Sequence, residues 1–339
     1  MQTGGLDPVA GTADNYRQWA AEARGLSPAY EFLASAVAAD AGILQFLGSL
    51  PPARRQPNLL FAAARYLLGQ PARMDELRAL VRTQASRLAG VMLSRRTQTN
   101  EPARCATILP ALALLPEPLA LIEVGASAGL TLMFDRYSYD YDGTFVAGAD
   151  PAAPVLRCSV RGPVPVPARI PRIAWRAGLD LNPLDVTDED DMRWLSCLVW
   201  PDEAGRAERL AAAIASARRD PPPVYRGDLR TDLAALAAQA PGDATLVVYH
   251  SAVLAYLTAE DRRDFTRTVR ALPAVWLSNE APGVVPGLPE PPGYQGPGPF
   301  VLGRDGTIPL ASTEGHGGWL RWAEPAAKQR PLTRQSRLR

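Results

Sequence analysis

Leu119-Ala120-Leu121-Ile122-Glu123-Val124-Gly125-Ala126-Ser127-Ala128-Gly129-Leu130 decides how the rest of the chain is read. It opens as a short apolar run that stops at glycine, the pattern of a buried strand in a parallel sheet. Gly125 and Gly129 allow a sharp turn and a close approach of backbone to a ligand. A helix opening at Leu130 would aim its unpaired N–H groups at the same place. Two readings overlap here. One is a turn that holds a nucleotide-type cofactor. The other is G-x-S-x-G, with Ser127 as the nucleophile of an esterase-like hydrolase.

The rest of the chain bounds the choice. Its 339 residues are 47% hydrophobic, enough for a large core in about two domains. A net charge of +1 sets up no global field toward nucleic acid or a membrane. Neither is expected as a partner; a small-molecule substrate is, and oligomeric state is not legible. Lys328 is the only lysine, so nearly all 36 basic residues are arginines, which without a cluster are not read as phosphate ligands. Cys105, Cys158 and Cys197 are odd in number and far apart, which suits buried thiols in a reducing compartment. Met1-Gln2-Thr3-Gly4-Gly5-Leu6-Asp7 lacks a basic and an apolar leader region, and no apolar run is long enough to span a bilayer. A soluble, cytoplasmic protein is expected.

Residues 13–118 read as helices. Ser27-Pro28 is a start signal, with Phe32, Leu33 and Val37 on one face. Asn58 can cap the next helix. The polar stretch Arg95 to Arg104 is either a helix connection with Asn100 as cap or a wall against the glycine turn. From Leu119 the pattern alternates strand and helix, with strands near 173–180, 224–228, 245–251 and 274–280, as in a doubly wound parallel sheet. A helix is expected from the glycine turn to about Arg136. Residues 137–167 read as an inserted β-hairpin or small sheet around Asp142-Gly143. Residues 282–299 form a Pro/Gly-rich loop, and 324–339 a basic, disordered tail. The expected domains are thus helical (1–118) and Rossmann-like α/β (119–323).

Position favours the cofactor reading. A hydrolase elbow follows several strands, whereas here everything upstream is helical and no His-Gly-Gly segment precedes Ser127. The order Ser127, an Asp, then His316 is the hydrolase reading's one support. A dinucleotide loop needs G-x-G-x-x-G, which the chain lacks. Glu123-Val124-Gly125-Ala126-Ser127-Ala128-Gly129 instead resembles the first motif of the Rossmann-like, class I S-adenosylmethionine-dependent methyltransferases, acidic-x-G-x-G-x-G, with Ser127 at the middle glycine. That resemblance implies an α/β sheet and S-adenosylmethionine held by Glu123, Gly125, Ser127 and Gly129. Asp180 would take the ribose hydroxyls and Asp228 the adenine amino group. Asp180 lies far beyond the spacing of roughly 20 residues usual for such an acid, so the 137–167 insertion must intervene.

Tyr249, His250 and Ser251 end the fourth strand, and Glu280 the fifth. His250 or Glu280 is the expected base for an acceptor's proton, with Tyr249 beside them. Asn100, Glu101, Arg104, Ser251 and His316 are weaker substrate-side candidates. Two distant histidines without a carboxylate cluster give no metal-ligand spacing. The segments 98–101, 123–130, 178–185 and 248–254 are similar to a bacterial family classed only as a domain of unknown function, a resemblance over residues 12–322 that implies no activity. The expected function is methyl transfer to a small molecule. The alternatives are a nucleoside-ligand-binding protein without turnover and the Ser127 hydrolase.

Overall fold

The structure is a computed structural model describing residues 8–294 and 299–323. Contacts divide it into two units. One holds the chain up to Thr99 with Asp188–Ala211; the other holds Asn100–Thr187 and the chain from Ala212 onward.

In the helical unit α1 (Pro8–Ala23), α2 (Pro28–Ala38), α3 (Ala41–Gly48), α4 (Pro57–Leu68) and α5 (Met74–Ser94) follow one another. The Ser27 hydroxyl accepts the Tyr30 amide at 3.2 Å and caps α2. Leu33 and Val37 are buried, but Phe32 is 65% exposed. At 3.6 residues per turn Phe32 stands about 100° off their stripe. Asn58 does not cap α4: the helix starts at Pro57, whose missing N–H is no loss at the first position. Tyr16, Trp19, Tyr30, Phe61 and Trp200 pack ring against ring at 5.0–6.1 Å.

The expected boundary at 118 moves twice. α6 (Arg104–Leu112), buried throughout, belongs with the sheet. The Tyr141 hydroxyl donates to Ala106 O at 2.8 Å, and the Cys105 thiol contacts Thr131 O at 3.4 Å. Conversely α7 (Glu189–Cys197) belongs with the helices. Trp194 Nε1 donates to Arg96 O at 2.8 Å, and the Arg95 guanidinium pairs with Asp190 and Asp191. Each of these partners is distant in sequence, so no local pattern announces it.

The sheet unit carries nine strands. Five run parallel, in spatial order β7 (Val224–Arg226), β6 (Ile173–Asp180), β1 (Leu119–Val124), β8 (Thr245–Ser251), β9 (Val275–Glu280). Beyond β9, β10 (Phe300–Arg304), β11 (Ile308–Thr313) and β12 (Trp319–Trp322) alternate antiparallel, and β5 (Ser159–Arg161) closes the edge parallel to β12. The chain leads outward from β1 in both directions, so its order reverses between β1 and β8. In open α/β sheets ligands settle at that point, beyond the strands' carboxyl ends.

Ile122, Val124, Val248 and Trp276 pack on one face with Leu233 and Leu236 of α8 (Leu233–Ala237) and Phe265 and Val269 of α9 (Ala259–Ala271). Within 137–167, β2 (Ser138–Tyr141), β3 (Thr144–Val146) and β4 (Val155–Arg157) form a separate three-stranded sheet. Asp142 and Gly143 both take positive φ, 48° and 92°, as a tight two-residue turn requires.

The helix expected to reach Arg136 is one short 3₁₀ turn, Leu130–Leu132. Residues 282–294 and Pro299 are described, with no helix or strand among them; 295–298 and the expected tail at 324–339 lie outside the described residues. Among the described residues no single helix is long and apolar enough to cross a membrane.

Candidate functional site

At the switch point the chain leaves β1 through a turn bent by three left-handed residues: Gly125 (φ 71°), Ser127 (52°) and Gly129 (72°). The Gly125 amide donates to Leu179 O at 2.8 Å, and the Gly129 amide to Ala126 O at 2.7 Å. Protein packs tightly against both glycines. A Cβ at Gly125 would stand 2.4 Å from Val253 Cγ2, and one at Gly129 2.8 Å from Pro222 and Val224. Gly178, beside Glu123 on β6, admits Ala126 in the same way. Ala126, Ser127 and Ala128 are buried. The small residues therefore serve close packing of the turn.

Glu123 lies buried near the end of β1. Its carboxylate is 4% exposed. Oε1 accepts from the Thr131 hydroxyl; Oε2 is buried without a hydrogen-bond partner among the described residues. The Asn100 amide group ties this pair down. Its Nδ2 donates to Thr131 Oγ1 at 3.3 Å, and its Oδ1 accepts the Leu130 amide at 2.8 Å. Asn100 thus packs against the end of the turn and takes the first amide of the 3₁₀ segment, so no open helix terminus is left there.

Burial pushes the Glu123 carboxyl up to about 8; the Thr131 hydroxyl and the Arg104 charge oppose the shift, and Asp180 adds to it. Losing hydration costs the charged form more than one hydroxyl bond returns. Arg104 is itself buried, held by Gly315 O at 2.9 Å and Ser251 O at 3.2 Å. Glu101 accepts the Ala103 amide at 3.1 Å and shapes the entry to α6. Gly317 lies so close that a Cβ would meet Ala103 O at 2.1 Å. The segment 100–104, the turn 315–317 and the ends of β1 and β8 thereby form one buried polar cluster.

The other candidates fall differently. Asp180 is half-buried at the mouth of the turn; its Oδ2 accepts the Ser127 amide and its Oδ1 the Asn182 amide, both at 2.8 Å. Asp228 does not stand ready for an adenine amino group. Arg230 grips its carboxylate at 2.6 Å, holding it below the usual carboxylate range, and bridges on to Asp261. Ser251 accepts Asn279 Nδ2 at 3.2 Å, and Thr313 donates to Asn279 Oδ1 at 2.7 Å. His316 is half-exposed beside Glu314, its Nδ1 at 3.7 Å from Oε1.

The expected base is corrected. His250 is fully buried. Its Nε2 accepts Trp276 Nε1–H at 3.0 Å, which places its proton on Nδ1, 2.7 Å from Glu280 Oε1. Both ring nitrogens are engaged inside the core. Glu280 is equally buried: Oε1 also accepts the Val253 and Leu254 amides at 2.8 and 3.1 Å, pinning the turn after β8, where Ala252 has φ 58°, while Oε2 has no hydrogen-bond partner among the described residues. Tyr249 is buried too, its hydroxyl on Thr131 O at 3.0 Å. Trp276, Thr131, Asn279 and Val253 went unflagged in the sequence; only Thr131, two residues past the turn, carried a positional hint.

The positive φ of Ser127 is the strain expected of a nucleophile elbow. An elbow serine, however, sits exposed ahead of a full helix, whereas Ser127 is 3% exposed ahead of a single 3₁₀ turn. Among the described residues no group of three or more His, Cys, Asp or Glu side chains could hold a metal ion.

Residues 13–322 match a family described as an uncharacterized protein conserved in bacteria, DUF2332. The chain belongs to this family. No curated protein and no solved structure matches it. The DUF2332 match takes in both units, and with them the cluster at 100–104, the turn at 123–129, Asp180 and the turn after β8.

Proposed function

We propose that this chain is an S-adenosylmethionine-dependent methyltransferase of Rossmann-like build that acts on a small-molecule acceptor. The observation carrying this reading is Glu123. It is a buried carboxyl with one unpartnered oxygen, at the end of the central strand, where the order of five parallel strands reverses. A buried polar oxygen left without a partner is costly, and a ligand ammonium supplies one as the carboxyl ionises. The buried Arg104, whose charge reaches Glu123, supplies the opposite sign for a carboxylate. Asp180, held by two backbone amides at the mouth of the turn, is the residue this reading assigns to the ribose hydroxyls.

When bound, the cofactor supplies an electrophilic methyl group on a sulfonium. The protein's work is to hold acceptor and cofactor in line, which alone can account for several kcal/mol of barrier. His250, Glu280 and Tyr249 take no part in proton transfer. An acceptor that loses its proton to water, or needs to lose none, suits this site.

A second reading, a protein that holds the nucleoside ligand without turnover, is favoured by the same sealing of His250 and Glu280. Calorimetry with S-adenosylmethionine, followed by transfer of its labelled methyl group to a panel of acceptors, separates the two. Binding that is lost in Asp180→Ala, with label appearing on an acceptor, supports the transferase. The same binding without transfer supports the second reading. No binding, with Ser127 labelled by a fluorophosphonate probe, overturns both.

A further inference from the structure

A second site lies at the far edge of the nine-stranded sheet, where β5 runs parallel to β12. Arg161 and Arg321 are register partners in this pair, so their side chains leave the same face side by side. The Arg161 guanidinium lies over the Trp319 ring, 4.5 Å from its centre. Trp319 is two residues before Arg321 and shares that face. Both arginines border an open cleft of about 520 Å³, walled by the Gly162-Pro163 turn, the Pro292-Gly293 segment and Trp322.

Some arginines of this unit have carboxylate partners, as Arg157 has Asp140, Arg169 has Glu117 and Arg176 has Asp135; others, such as Arg226 and Arg262, are held by backbone carbonyls. Among the described residues Arg161 and Arg321 have no carboxylate partner; Arg321 reaches only Gly293 O, at 3.4 Å. Two like charges in adjacent register repel each other, and an anion seated between them reverses that cost. Guanidinium forks match the oxygens of a phosphate group, and stacking on Trp319 holds one fork in place.

We propose that this cleft binds the phosphate group of a small phosphorylated molecule. The cleft is separate from the Glu123 cluster and stands or falls independently of methyl transfer. Inorganic pyrophosphate, titrated at constant ionic strength while tryptophan emission is followed, tests it. The full chain should respond saturably. Arg161→Gln/Arg321→Gln, with an unchanged circular dichroism spectrum, should bind about tenfold more weakly or worse. Pyrophosphate should also raise the melting temperature of the parent but not of the double variant. No saturable response in the parent, or an equal melting shift in both proteins, reduces the cleft to general charge screening and overturns the proposal.

Discussion

Val253 occupies the space that a side chain at Gly125 would need: its Cγ2 lies 2.4 Å from where a Cβ would stand. The turn after β8 is thus keyed into the turn after β1, and Glu280 locks the key by accepting the Val253 amide.

This contact predicts a non-additive pair. Gly125→Ala suffers the clash and a left-handed φ of 71°. The φ alone costs about 1–2 kcal/mol, and the overpacking adds about 1–3 kcal/mol. In a Val253→Ala background, where only Cβ remains at 3.2 Å, the packing cost should shrink and the first cost should dominate. Urea unfolding of the four proteins measures it, and equal costs in both backgrounds would contradict the keyed arrangement.

Glu123 predicts a pH dependence. Its folded-state pKa of about 8 stands above the ordinary 4.5, so its contribution to stability is full below pH 4.5 and is lost as pH rises through about 8. Across that window the loss approaches about 1.4 kcal/mol per pH unit. Glu123→Gln keeps the shape and removes the titration. Its stability should fall less than the parent's over this range in parallel denaturant melts. Parallel curves would show that Glu123 is not buried in the protonated form.

His250 predicts a loss of stability without a specific loss of chemistry. His250→Phe strands the Trp276 N–H and deprives the sealed Glu280 carboxylate of a donor. Each buried polar group left without its partner costs about 1–3 kcal/mol. The folded fraction should keep its affinity for S-adenosylhomocysteine within about twofold, about 0.4 kcal/mol. A variant as stable as the parent but inactive in methyl transfer would restore His250 as a base.

The inner parallel strands β1, β8 and β9 were legible because each is a short, mostly apolar run bounded by turn residues, and Glu123 because a carboxylate is conspicuous inside such a run. What escaped depended on distant partners. Leu130–Leu132 reads locally as the start of a helix, but Asn100 claims the Leu130 amide from thirty residues upstream. His250 reads as a strand-end base until Trp276 and Glu280, one strand over, take both its nitrogens. Gly125 and Gly129 read as room for a ligand, yet Val253, Pro222 and Val224 fill it. Residues 188–211 joined the helices through Arg95, Arg96 and Ser27, which no periodicity reveals.

The central claim is that the unpartnered oxygen of Glu123 receives a cationic group of the cofactor. Titration calorimetry of S-adenosylhomocysteine, whose amino group is that of the cofactor, tests it in buffers of different ionisation enthalpy. The account predicts binding by the parent with up to about one proton released per ligand near neutral pH, as the ammonium drives the Glu123 carboxyl to ionise. Glu123→Gln should release none and bind about tenfold more weakly or worse. Binding of equal strength by both proteins, without proton release, would contradict it.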